Sequence, residues 1–139
     1  MLTFTSLLTR IRSTPIPGGE RLLDSALAAF LDFGIKRCSM GEIARRAGIS
    51  QATLYRRFDS KNDLIEAVAV REAQRLVASV DERVQAFDDP EDQLTEIFVA
   101  FIGSMAGNPL LTRLLRTEPE FVLPRLTLEA GPILAVGRA

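Results

Sequence analysis

From residue 39 to residue 61 the chain reads SMGEIARRAGISQATLYRRFDSK, and the spacing of serines and glycines in this stretch decides the fold. Ser39 with Glu42 three residues later forms a capping box, which predicts a short helix that ends at Gly48. Ser50 offers a second N-cap directly after the glycine turn. Two short helices joined by a tight glycine turn are typical of a helix-turn-helix.

Helical spacing of apolar residues continues on both sides of this stretch, whereas alternating strand patterns do not occur. One helix is predicted over about residues 19–33, and another, capped by Ser60, over residues 61–87. A helix of that second length extends about 40 Å, which is longer than a small helix-turn-helix needs, so we interpret it as a connector. Further helices are predicted after Pro90 and Pro109. The expected fold class is all-α.

The composition argues against an enzyme. Among 139 residues there are no histidines and one cysteine, so a nucleophile with its base, or a metal site, is not expected, and we expect no cofactor. Residues 1–75 hold 12 Lys and Arg against 8 Asp and Glu, whereas residues 76–139 hold 5 against 10. The basic charge is dense around the helix-turn-helix, which indicates a polyanionic partner, although a solvated basic face gives the same count.

Five motifs resemble the DNA-binding domain of the TetR family of transcriptional regulators. They lie between Ala26 and Leu64 and read A-x-x-x-F-x-x-x-G, M-x-x-I-A, A-G-I-S, T-L-Y-x-x-F and S-K-x-x-L. The first residues and the prolines and glycines at 15–19 predict a flexible arm at 1–18. The resemblance implies a three-helix DNA-binding domain at 19–64 and a partial effector-binding and dimerisation bundle at 65–139, which the helix at 61–87 connects. Family members usually run longer, so the chain is expected to be truncated at its C-terminus.

The exposed N-terminal side chains of the second short helix are the expected base readers, because a recognition helix enters the major groove by that end. Hydroxyls, basic side chains and helix N-termini are the expected phosphate contacts. Lys61 is the strongest phosphate candidate, since it begins a helix and the family carries a lysine there. The predicted DNA-binding residues are Ser39, Arg45, Ser50, Gln51, Ala52, Thr53, Tyr55, Arg56, Arg57 and Lys61. For the two serines, a cap alone is an equally good interpretation.

By the same resemblance, the second half encloses a pocket for a small apolar or amphipathic effector. The candidate lining residues, each of which also fits an ordinary core, are Phe98, Phe101, Ile102, Met105, Leu114 and Phe121. The expected function is that of a cytoplasmic, ligand-responsive repressor that binds double-stranded DNA at a pseudo-palindromic operator as a homodimer. No membrane contact is expected. The alternative is a protein-interaction module that pairs with a longer relative and sequesters it from DNA.

Overall fold

The computed structural model describes Thr9, Arg12, Ser13, Pro15, Ile16 and residues 18–120. Within these residues the regular secondary structure is helical and contains no strand, so the all-α prediction is confirmed. The helices are α1 (Glu20–Phe33), α2 (Met40–Ala47), α3 (Gln51–Arg57), α4 (Lys61–Val84), α5 (Pro90–Gly107) and α6 (Pro109–Thr117). We refer to α1, α2 and α3 together as the head.

The helix boundaries in the head follow from the predicted caps. Ser39, Ser50 and Ser60 each accept a hydrogen bond through Oγ from the backbone N–H three residues later, at 3.1 to 3.2 Å. α2 ends at Gly48, whose φ of 69° is the left-handed conformation that glycine adopts without steric cost. Local signals therefore fix where α2 and α3 begin, and the short turn between them sets their relative orientation.

One apolar core joins the head to the first half of α4. Phe30, Ile43, Leu54 and Leu64 come from four different helices, and each is at most 1% exposed. Phe58, directly after α3, belongs to the same core. Cys38 lies in the same core, and burial raises the pKa of its thiol, which is typical of an unreactive cysteine.

A buried arginine fastens α4 to the start of α1. Arg71 is 1% exposed, and its guanidinium donates to the backbone carbonyl of Glu20 at 3.2 Å and to Asp24 Oδ1 at 2.7 Å. The same guanidinium donates to Glu72 Oε1 at 2.9 Å. Arg75, one turn later and half exposed, reaches Glu20 Oε2 at 2.8 Å. The charges of the deeply buried arginine are thus met by carboxylates and a carbonyl, as a buried cation requires.

The second half of α4 leaves the core and pairs with α5, where Arg83 Nε lies 2.7 Å from Glu96 Oε1. α4 ends at Val84, three residues before the predicted end. The N–H groups of Ala86 and Phe87 bond to carbonyls only three residues back, which tightens the chain into a turn before α5 begins.

α5 presents an apolar face to solvent. Its exposed members include Leu94 at 55%, Phe98 at 62% and Ile102 at 61%. Among the described residues, none of the helices taken alone has the length and apolar character of a membrane span. Taken together, α5 and α6 have the length and the apolar composition of a membrane span, but the chain bends by 58° between them.

Replacing Arg71 tests the anchor between α1 and α4. Arg71→Ala removes several charge-assisted hydrogen bonds and the packing of a buried stem, so the free energy of unfolding should fall by about 2 to 3 kcal/mol. Arg75→Ala removes a neighbouring arginine that is half exposed, and should cost less than about 1 kcal/mol. Urea unfolding followed by circular dichroism measures both values. Equal losses for the two variants would contradict the assigned role of Arg71.

Candidate nucleic-acid interface

α3 is a two-turn helix with one buried and one open face. Leu54 is fully buried, and Phe58, directly after the helix, is 3% exposed. The opposite face carries Gln51, Ala52, Tyr55 and Arg56, all exposed. This division places polar and hydrogen-bonding side chains on an open surface at the N-terminal end of a helix, the arrangement that fits a DNA major groove.

A small hydrogen-bond network orders this open face. The hydroxyls of Ser50 and Thr53 lie 2.8 Å apart, and Arg56 Nη2 donates to Thr53 Oγ1 at 2.9 Å. The cap at the start of α3 is therefore linked to an arginine one turn later. Arg57, next along the chain, donates to the backbone carbonyl of Gly18 at 3.1 Å.

On α2, one glutamate organises two arginines. Glu42 accepts from Arg45 Nη2 at 2.7 Å and from Arg46 Nε at 3.1 Å. Hydrogen bonds from Arg45 and then Arg46 hold the pKa of Glu42 below its ordinary value, so the carboxylate stays ionised. The Arg45 side chain remains 73% exposed despite this pairing, which leaves most of its surface open to a phosphate.

Arg46 has a structural role that the sequence did not indicate. It lies 2.7 Å from Asp32 at the end of α1, and its guanidinium stacks 5.1 Å from the centre of the Phe33 ring. It therefore ties α2 to α1 instead of only solvating its own helix. The sequence carried no sign of this role because Asp32 and Phe33 lie on another helix.

The ammonium of Lys61 faces the protein. Nζ donates to the backbone carbonyls of Ile35 at 2.7 Å, Cys38 at 3.2 Å and Lys36 at 3.4 Å. An ammonium has three N–H groups, so three carbonyl acceptors use all of them. This geometry favours a structural role for Lys61 over the phosphate contact expected from the sequence.

Comparison with known proteins supports the same interpretation of the head. Residues 22–68 match the family model described as "Bacterial regulatory proteins, tetR family". The transcriptional regulator AlkX of Mycobacterium tuberculosis is 31% identical over 146 aligned positions, which cover 96% of this chain and 67% of AlkX. The chain belongs to the TetR family of transcriptional regulators. The transcriptional activator FasR of Mycolicibacterium smegmatis is 37% identical over 65% of this chain and 42% of FasR. The transcriptional repressor KstR of the same organism is 34% identical over 67% of this chain and 46% of KstR.

The TetR-family chain spans about half the length of the first curated relatives it matches. No solved structure is a significant match to it. The family assignment confirms the resemblance that the five motifs indicated.

The expected effector residues of this TetR-family protein lie in different environments in the described part of the chain. Phe98, Phe101 and Ile102 lie on the open face of α5, whereas Leu114 is 7% exposed and packs in the core with the head. Met105 is half-buried, and Phe121 lies outside the described residues. A shallow depression of about 350 Å³ is found elsewhere, between the start of α1, the turn after α2, and Arg57. Among the described residues, no three His, Cys, Asp or Glu side chains come together as a metal site.

Salt dependence distinguishes the two roles of Lys61. Lys61→Met retains most of the aliphatic stem and removes the ammonium, so the slope of log K against log salt for a duplex should stay at the wild-type value. Stability should fall by about 1 kcal/mol. Arg45→Ala is the matched loss of one exposed cation, and it should reduce the magnitude of that slope by about 1. If the slope for Lys61→Met is as shallow as that for Arg45→Ala, Lys61 contacts a phosphate.

Proposed function

We propose that the chain is a ligand-responsive repressor that binds a pseudo-palindromic operator as a homodimer, with α3 as the recognition helix. The observation that carries this proposal is the open face of α3, where Gln51, Ala52, Tyr55 and Arg56 are exposed above a buried Leu54. Two such helices in one dimer would enter successive major grooves about 34 to 36 Å apart. The relatives named above include both an activator and a repressor, so the sign of regulation is part of the proposal.

Within the recognition helix, we assign base contacts to Gln51, Ala52 and Thr53. A glutamine side chain pairs with adenine through two hydrogen bonds, and the methyl groups of alanine and threonine suit the methyl group of thymine, so steps containing A·T are expected in the operator. Tyr55 and Arg56 lie further along the same face and contact a base or a phosphate.

Phosphate contacts are assigned to residues that flank the recognition helix. Arg45 is exposed beside α3, and Ser39 and Ser50 stand at helix N-termini where backbone N–H groups favour an anion. Arg57 is exposed at the end of α3 and completes the set. These contacts fix the orientation of the head on DNA without reading its sequence.

Residues 19–64 form the DNA-binding domain in this proposal, and residues 65–139 belong to the effector-binding and dimerisation domain. The arm expected at 1–18 lies largely outside the described residues, as does the end of the second domain. An apolar or amphipathic effector held among the C-terminal helices would shift α4 and change the spacing of the two heads. The ligand acts by binding more tightly to the conformation that does not fit the operator.

Selection from a random duplex pool at about 100 mM salt, with light scattering on the same sample, tests the proposal. The expected result is a dimer that enriches a palindrome containing A·T steps. Gln51→Ala should change the preferred base at one position of each half-site, with a cost of about 1 to 3 kcal/mol on the original sequence.

The control is Gln85→Ala, a glutamine that is exposed after α4 and remote from the head. It should leave both the enriched sequence and the affinity unchanged. A monomer that enriches no sequence would overturn the proposal of operator binding by this chain.

A second candidate function is supported by the apolar face of α5. Exposed apolar patches are typical of protein-protein contact sites, and Leu94, Phe98 and Ile102 are each more than half exposed. In this alternative the chain pairs with a longer relative and sequesters it from DNA. This alternative predicts that the chain lowers the DNA occupancy of such a relative. It also predicts that selection with the chain itself enriches no duplex, whereas operator binding predicts an enriched palindrome.

A further inference from the structure

The loop between α1 and α2, residues 34–38, is held from two sides. From α4, the Lys61 ammonium donates to three of its carbonyls. From the end of α6, Glu118 Oε1 accepts the backbone N–H of Lys36 at 3.2 Å. The loop runs directly into Ser39, the N-cap of α2. Any displacement of the loop therefore acts on the start of the helix-turn-helix.

α6 makes a connection between the C-terminal helices and the head that does not pass through α4. Leu114 of α6 is 7% exposed within the core that includes α1. Arg113 Nη2 donates to the backbone carbonyl of Asp32 at 3.3 Å, and Lys36 forms an ion pair with Glu120. The end of α1 and the loop after it are thus the place where α6 meets the head.

Glu118 fits this place because position 34 is a glycine. Gly34 has a φ of 80°, and a Cβ added there would lie 2.8 Å from Glu118 Oε1, closer than a real Cβ approaches an oxygen. The glycine thus serves both the backbone conformation after α1 and the close approach of a carboxylate from α6.

The contact leaves polar groups unpaired. Glu118 is 6% exposed, yet its Oε2 has no hydrogen-bond partner among the described residues, and neither does the buried Nε of Arg113. An unpaired buried carboxylate oxygen is costly, so the docked position of α6 gains less than a fully paired contact would. A ligand that binds more tightly to the undocked position therefore displaces α6 more readily than it would displace a fully paired contact.

We propose that Glu118 is a positioning residue, a latch through which α6 sets the loop at 34–38 and with it the orientation of α2 and the recognition helix. The inference rests on the proposed ligand response, and it adds the route of that response. An effector that displaces α6 withdraws the carboxylate from the Lys36 N–H. The loop then keeps its hydrogen bonds from Lys61 and the core contacts of Ile35 and Cys38, but it loses the polar contact from the C-terminal helices.

Hydrogen exchange of the whole 139-residue chain tests the latch without DNA. Glu118→Ala should speed exchange of the amides from Lys36 to Ile43 by about tenfold, because local opening becomes easier there. Amides in the first half of α4 should keep their wild-type rates. Glu118→Gln, which retains the shape and one oxygen acceptor, should restore slow exchange. Glu120→Ala is the matched control, since Glu120 contacts Lys36 only through an exposed side chain.

Unchanged exchange at residues 36–43 in Glu118→Ala would overturn the latch, as would an equal acceleration in every helix, which indicates a loss of global stability alone. If the alanine variant does not fold, Glu118→Asp is compared in the same way, because it retains the charge and shortens the reach by one methylene.

DNA binding adds a second measurement. On a duplex enriched by the wild-type chain, Glu118→Ala should change affinity with an unchanged salt slope, because no phosphate contact is lost. A reduced slope would overturn the latch by making Glu118 part of the DNA surface. If no duplex is enriched, operator binding fails while the exchange experiment still decides the latch, so the two failures are distinguishable.

Discussion

The pairing of α1 with the first half of α4 is the constraint on which the rest of the head depends. The two helices run in opposite directions, since Lys61 at the start of α4 meets the loop after α1, and Arg71 meets the first turns of α1. Each end of the pair is fixed by one cation of α4. The anchors are ten residues apart, or about 15 Å along the helix, so they fix the direction of α4 as well as its position. The apolar core fills the space between them and holds α2 and α3 in place.

This arrangement divides α4 into two parts with different roles. All of its buried residues, from Leu64 to Arg71, lie in the half that packs on the head. The later half contacts α5 and is joined to it by Arg83 and Glu96. The helix is continuous, but its packing passes from one set of partners to another near Arg75. Bending at that point would move α5 relative to the head, whereas α6 would stay joined to the head through the buried Leu114.

The helices of the head and their ends were predictable because their signals are local. A serine cap acts on the third residue after it, and a glycine stop acts on the turn that contains it, so a short window of sequence holds all the information. The core residues were equally predictable, because Phe30, Leu54 and Leu64 follow the helical period on one face of each helix. The exposed face of α3 was predictable too, because it lies opposite the face that buries Leu54.

The contacts between distant residues were not predictable from the sequence. Lys61 sits at a helix start, where a lysine suits a phosphate as well as a set of carbonyls, and the choice depends on a loop 23 to 26 residues away. Arg71 and Glu118 follow no motif, and in sequence they are ordinary charged residues of a helical surface. Their burial depends on how α1, α4 and α6 meet, which neither periodicity nor caps specify. The hydrogen bond between Glu118 and the Lys36 N–H is therefore visible in the structure alone.

The apolar face of α5 has a thermodynamic consequence. A surface of this kind exists only in the folded chain, so whatever covers it binds the native state and leaves the unfolded state alone. By mass action, the apparent stability of the chain then depends on the concentration of that binding species, and the melting temperature becomes a property of the mixture. If a second copy covers α5, the thermal midpoint rises with the concentration of the protein itself.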